Sequence, residues 1–157
     1  MRSLFLTTFL LLSFSASATT VTLNFEEFTS PDLTNVLQTQ GFRFRSDQFF
    51  ASGIVVEGSP AIGLTPPEVR LELIDESNTF SLASWDILGD QADTEISVVG
   101  YLEGGGTVNA SFTAVSGVYT TYNFSSEWQN LEYVEFSHSD PVVADNIVAS
   151  VIPIPAF

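Results

Sequence analysis

The sequence predicts an all-β protein: an antiparallel β-sandwich of the jelly-roll kind, with about nine strands and at most one short helix. Three observations carry that expectation. Apolar and polar residues alternate with period two through most of the chain, helical spacing is nearly absent, and turn residues punctuate the alternating runs at short intervals. Alternation sends successive side chains to opposite faces, so Val21-Thr22-Leu23-Asn24-Phe25-Glu26 buries Val21, Leu23 and Phe25 and offers the others to water.

Taken in order, the predicted strands are 21–26, 41–46, 69–74, 79–85, 95–102, 107–114, 119–124, 131–138 and 142–150, all rich in Val, Ile, Thr and Phe. Gly104-Gly105-Gly106 and Ser116-Gly117 supply hairpin connections, while Ser59-Pro60 and Thr65-Pro66-Pro67 mark loops. The helical candidate is Ser30 to Leu37, with Ser30 as N-cap and Pro31 at the first helical position. Phase along the strands assigns Phe25, Phe42, Phe44, Phe80, Phe112 and Phe136 to the core.

Three segments follow from composition. Residues 1–18 read as a signal peptide: Arg2 gives a positive start, Leu4 to Phe14 an apolar run, and Ala16-Ser17-Ala18 a small-x-small cleavage site. The apolar run is too short to cross a hydrocarbon core of about 30 Å as a helix. Residues 19–150 form one β-sandwich domain, and 151–157 a Pro-rich tail. The expected location is therefore secreted, in the envelope or outside the cell. With no cysteine, such a domain must rely on a well-filled core or a bound ion instead of disulfides.

Charge excludes one large class of function. The chain has 19 acids, four arginines and no lysine, for a net charge of −15. Nucleic acid binding needs Lys and Arg to neutralise phosphates, so no nucleic acid partner is expected. The acids are scattered, as suits solubility outside the cell.

Several residues are candidates for chemistry. Glu26 and Glu27 close the first strand and Asp145 lies in the last. If those strands pair, the acids meet near one end of the sheets and, with loop carbonyls, offer the oxygen ligands that calcium favours. His138 stands alone without a nucleophile motif or a second imidazole, which leaves no triad and no transition-metal site. No catalytic residue is assigned. Trp85, Tyr101 and Trp128 carry flat amphipathic rings near polar neighbours, the surface that stacks on sugars. Arg43 and Arg45 leave one strand face together; they pair with neighbouring acids, or else clamp a uronate or sulfate in bidentate fashion.

The succession FEEF at 25–28, GFRF at 41–44, FSLASW at 80–85, VVGYLEGGGTV at 98–108, LEYVEFS at 131–137 and VADNIVAS at 143–150 resembles exported bacterial proteins of the PEP-CTERM type. Many of these carry a jelly-roll domain similar to carbohydrate-binding modules. The resemblance implies a structural calcium held by Glu26 or Glu27 together with Asp145. It also implies export toward an envelope or extracellular polymer matrix, and with the residue reading it leads to the expectation of a non-catalytic domain that associates with extracellular polysaccharide. Val151-Ile152-Pro153-Ile154-Pro155-Ala156 resembles the family's sorting motif with Ile in place of Glu, which implies exosortase-type sorting if the chain continues past Phe157. Two alternatives stand beside this expectation: a structural matrix or surface protein without a glycan pocket and, more remotely, a glycoside hydrolase.

Overall fold

The computed structural model describes residues 17–28, 30, 32–56, 59–65 and 68–154, with backbone alone for 48–55. Most of the signal segment and residues 155–157 of the tail lie outside the described residues, as do Pro31, Pro66 and Pro67. The described chain is all β. Its strands are β1 Thr19–Leu23, β2 Asp32–Thr39, β3 Phe42–Val56, β4 Ser59–Leu64, β5 Glu68–Leu73, β6 Asn78–Gly89, β7 Thr94–Leu102, β8 Thr107–Ala114, β9 Thr120–Asn123, β10 Leu131–His138 and β11 Val142–Pro153.

All pairings between these strands are antiparallel and join them into one hydrogen-bonded sheet in the order β8-β7-β10-β5-β3-β4-β11-β6-β9, with β2 beside β3 and β1 beside β11. The sheet folds over on itself, so that β2, β3, β5, β10, β7 and β8 form one layer and β4, β11, β1, β6 and β9 the other. The long strand β3 connects the layers: residues 42–46 pair with β5, and residues 51–56 pair with β4. This is the sandwich the alternation predicts.

The core is where the inward phases of the two layers meet. Phe42 and Phe44 of β3, Val69 and Leu71 of β5, and Val134 and Phe136 of β10 are at most 1% exposed. From the opposite layer they meet Phe80, Leu82, Trp85 and Ile87 of β6, with edge-to-face contacts between Phe42 and Phe80 at 5.3 Å and between Trp85 and Phe136 at 4.6 Å. Burial along β6 changes phase between Leu82 and Trp85, opposite a register shift in β11, so a bulge keeps the core side apolar across the slip.

Two elements depart from the sequence expectation. Residues 32–39 are the strand β2, not a helix: β3 offers an open ladder that takes Val36, Leu37, Gln38 and Thr39 opposite Arg45, Phe44, Arg43 and Phe42. Ser59-Pro60, expected as loop, opens the strand β4. Pro60 is tolerated there because it stands at the beginning of the strand, before the stretch 62–64 that lies between β3 and β11.

Candidate functional site

Two places on the fold concentrate polar chemistry. The first is the outward face of the β2-β3-β5-β10-β7-β8 layer. Cross-strand register places Gln38, Arg43, Glu72, Tyr133, Tyr101 and Thr107 in one row across it. The adjacent row is Val36, Arg45, Arg70, Glu135, Val99 and Asn109. Alternation in each strand produces these rows, since every residue in them holds the phase opposite a core residue.

Glu72 is the hub of this face. Its side chain is only 10% exposed, and Arg43 reaches it at 2.6 Å, Arg45 at 3.2 Å and Arg70 at 2.9 Å. Arg43 also lies 3.5 Å from Glu76. The Arg70 guanidinium covers the Tyr133 ring at 3.5 Å, and Tyr133 stacks on Tyr101 with centroids 4.2 Å apart. The Tyr101 hydroxyl is bonded to Glu135, and that bond, more than desolvation, pushes the phenol above its ordinary range. A cation and two rings thus stand as a fixed stack, tied at one end by Glu72 and at the other by Glu135.

A cavity opens on each side of Arg70. One, of about 420 Å³, is lined by Tyr133, Glu72, Glu76, Glu103, Glu132 and neighbouring residues. The other, of about 400 Å³, is lined by Arg45, Asp47, Glu68, Glu135 and neighbouring residues. Arg70 lines both, so the two hollows adjoin along β5 as the lobes of a groove, the six residues of that strand spanning roughly 20 Å.

The second place is the acid cluster around Asp145. Strand β11 is flanked by β4 along Val142, Val143 and Ala144, then by β1 from Ile147 to Val151. Asp145 and Asn146 sit at the handover, where the register with β6 also shifts. Asn146 is left-handed at φ 45°, and so is Phe25 at φ 56°, just past the end of β1. A left-handed Phe is unusual; here the ring is fully buried and packs 5.7 Å from Phe44, which holds the turn and presents Glu26 to the cluster.

Asp145 is 2% exposed. Its Oδ1 accepts from the Asn146 backbone at 2.8 Å, and its Oδ2 from the Ser59 hydroxyl at 3.1 Å and the Asn146 amide at 3.3 Å. Asp86, directly across the ladder, accepts from Thr121 at 2.5 Å and from the Asn146 amide at 3.2 Å. Burial pushes the Asp145 carboxyl up from its ordinary value; the bonds from Asn146 and Ser59 oppose this, and the charges of Asp86 and Glu26 add to it.

The structure brings some expected residues together and separates others. Pairing of β1 with β11 puts Glu26 within the field of Asp145, as the first-with-last-strand argument requires. Glu27 instead accepts a hydrogen bond from Thr39. The donor types around Asp145 are oxygens, the chemistry of a hard cation. Among the described residues, however, no three His, Cys, Asp or Glu side chains are arranged to hold a metal ion.

Arg43 and Arg45 converge as expected, but on Glu72 together with Arg70. Tyr101 lies on the grooved face. Trp85 and Trp128, expected at a sugar-binding surface, are 1% and 3% exposed and cannot reach a ligand. Trp85 fills the space between Phe112 and Phe136, and Trp128 packs on Phe124 and over the bare Cα of Gly100, where a Cβ would stand 3.0 Å from its ring. Their rings complete a core that polar neighbours in sequence do not disclose. Arg70, Glu72 and Tyr133 are the site residues that the sequence reading passed over. Their phase is visible in Glu68-Val69-Arg70-Leu71-Glu72 and Leu131-Glu132-Tyr133-Val134-Glu135, but the register that assembles them is not.

Among solved structures, a DUF4465 family protein from Bacteroides caccae aligns over 88% of this chain and 94% of its own, with 14% identity and a TM-score of 0.50. The two share a fold. A mutant of the family 29 carbohydrate-binding module CBM29-2 aligns over 85% of this chain and 91% of its own, at 13% identity and a TM-score of 0.49. The xylohexaose complex of the CBM22-1 and GH10 modules of Clostridium thermocellum xylanase 10B aligns over 82% of this chain and 28% of its own, at 11% identity and a TM-score of 0.47. No protein-family model matches the sequence, and no curated protein matches it.

Proposed function

We propose that this chain is a non-catalytic domain of the cell exterior that binds extracellular polysaccharide in the groove over β5. The observation that carries the reading is the groove itself. Its floor is a prearranged row of hydrogen-bonding carboxylates, guanidiniums and phenols around an aromatic stack, which is what an extended hydroxyl-rich chain requires, and prearrangement lowers the ordering cost of binding. Export supports the reading through the signal-like start of the sequence, and sorting through a motif in the tail is part of the same proposal.

A glycan array tests it. The intact chain should bind at least one polysaccharide saturably, and Tyr133→Ala should weaken that binding roughly tenfold, about 1.4 kcal/mol, while leaving the melting transition cooperative. Absence of binding to every glycan would leave a structural surface protein as the remaining account.

Calcium at the acid cluster is the second part of the proposal, held by Asp145 and Glu26 with Ser59 and backbone oxygens. A buried carboxylate whose charge is disfavoured by the nearby charges of Asp86 and Glu26 is a place where a divalent cation would relieve repulsion. Free calcium at about 100 times its dissociation constant would add about 2.7 kcal/mol, several degrees of melting temperature. Asp145→Asn, which keeps the shape, should abolish that shift; an unchanged wild-type transition in millimolar calcium sinks the idea. Without calcium the pH dependence has a fixed sign. Because the folded Asp145 carboxyl titrates above its unfolded value near 3.9, its contribution is most favourable below that pH and is lost as pH rises through the folded value. Chelated wild type should therefore lose stability relative to Asp145→Asn as the pH is raised from about 4 to 7.

A further inference from the structure

If the groove binds glycan, as proposed above, its charge decides which glycan. The described residues of this chain hold three guanidiniums, and all three are committed to one carboxylate, Glu72. Arg43 also serves Glu76, and Arg70 is pinned on the Tyr133 ring. The bidentate clamp on a uronate or sulfate that Arg43 and Arg45 suggest in the sequence is therefore already taken by an internal carboxylate.

Counted with those pairs included, the groove as a whole is negative. In the lobe beside Tyr133, Arg70 is set against Glu72, Glu76, Glu103 and Glu132. In the other lobe, Arg45 and Arg70 are set against Asp47, Glu68 and Glu135. Carboxylates outnumber guanidiniums on both sides of the stack. The Tyr101 phenol reports the same field, since Glu135 and Glu68 both help to raise it.

We propose that the groove selects a glycan bearing ammonium groups, a polymer of 2-amino-2-deoxy sugars, over neutral and carboxylated polysaccharides. The ring faces and hydroxyls of such a polymer meet the Tyr133 and Tyr101 edges and the fixed polar groups. Its ammonium groups meet carboxylates in either lobe, Glu103 and Glu132 in one and Glu68 and Asp47 in the other. A uronate placed the same way meets like charge at both ends.

Tetrasaccharides test this without the bulk attraction of a long polycation. Titrations at pH 6 in low salt would compare a β-1,4-linked glucosamine tetramer, its N-acetylated counterpart, the neutral glucose tetramer and a uronate tetramer. The amine should bind about tenfold more tightly than the acetylated form, and the ratio should fall toward unity in about 1 M salt. Glu103→Gln with Glu132→Gln should remove most of the ratio. Glu127→Gln with Asp140→Asn, an equal charge change away from the groove, should keep it. Equal binding of amine and neutral tetramers, a preference for the uronate, or an equal loss in the control variant would overturn the inference while leaving the glycan-binding reading standing. Binding of no tetrasaccharide, together with an empty glycan array, would remove both.

Discussion

Trp85→Ala should lower the melting temperature by roughly 10 to 20 °C, from a loss of about 3–5 kcal/mol. The indole is 1% exposed and is held edge-on by Phe112 at 6.2 Å and Phe136 at 4.6 Å, so its removal opens a void between the two layers that neither strand can close. Trp85→Phe should behave quite differently. The indole Nε1 is buried with no hydrogen-bond partner among the described residues, so phenylalanine loses volume but also relieves an unpaired donor. A loss below about 1.5 kcal/mol is expected. Thermal melts of the two variants, followed by circular dichroism, check the contrast. Comparable losses in both would mean that the indole ring is not what spans the layers.

Trp85 also shows where sequence reading succeeds and where it stops. Period-two phase marks nine of the eleven strands, all but β2 and β4, and most of the core, because burial on one face leaves a direct imprint on the residue pattern: Phe42 and Phe44, Val69 and Leu71, Val134 and Phe136 alternate with polar residues without a slip. In β6 the pattern slips between Leu82 and Trp85, and beyond a slip the face of an aromatic residue depends on a bulge in a strand distant in sequence. Trp128, in the turn before β10, has no phase at all, and only the packing over Gly100 and Phe124 decides its burial. Residues 32–39 fail as a helix for a related reason: Ser30 and Pro31 are sound local signals, but the open ladder of β3 outweighs local propensity.

The two sites differ in the same way. Glu26 and Asp145 were legible as a pair because they rest on one long-range fact, the pairing of the first strand with the last. The grooved face rests on five pairings at once. Glu68, Arg70 and Glu72 could be placed on an outward face, as could Tyr133 and Glu135, but which of them meet Arg43, Arg45 and Tyr101 follows from register, and register is set by turns and core packing across the whole layer. The left-handed backbone at Phe25 carries no sequence signal either, since a bulky aromatic is not a residue that this region ordinarily selects.

Glu72→Gln should destabilise the fold by about 2–3 kcal/mol and raise the salt sensitivity of what remains. The substitution preserves shape and hydrogen-bonding length while removing the one charge on which Arg43, Arg45 and Arg70 converge. Stripping a buried pair of one partner costs about 3–5 kcal/mol, but Arg45 and Arg70 keep side-chain exposures of 52% and 39% and can turn to water, which trims the loss. Arg43, at 15%, cannot turn so easily and carries most of the effect. Salt should recover part of the lost stability by screening three guanidiniums left facing one another. The compensating change is Arg43→Met together with Glu72→Leu, which replaces the inner pair by apolar side chains of similar reach and should restore stability to within about 1 kcal/mol of the parent. That restored variant is informative for binding. Its Arg70 has lost its anchor, so the stack on Tyr133 is no longer fixed, and glycan affinity should fall even though the fold is sound. Denaturant unfolding and glycan titration of the same samples separate the two effects: recovery of both together would show that Glu72 serves the fold alone, whereas recovery of stability without affinity assigns it to the arrangement of the groove.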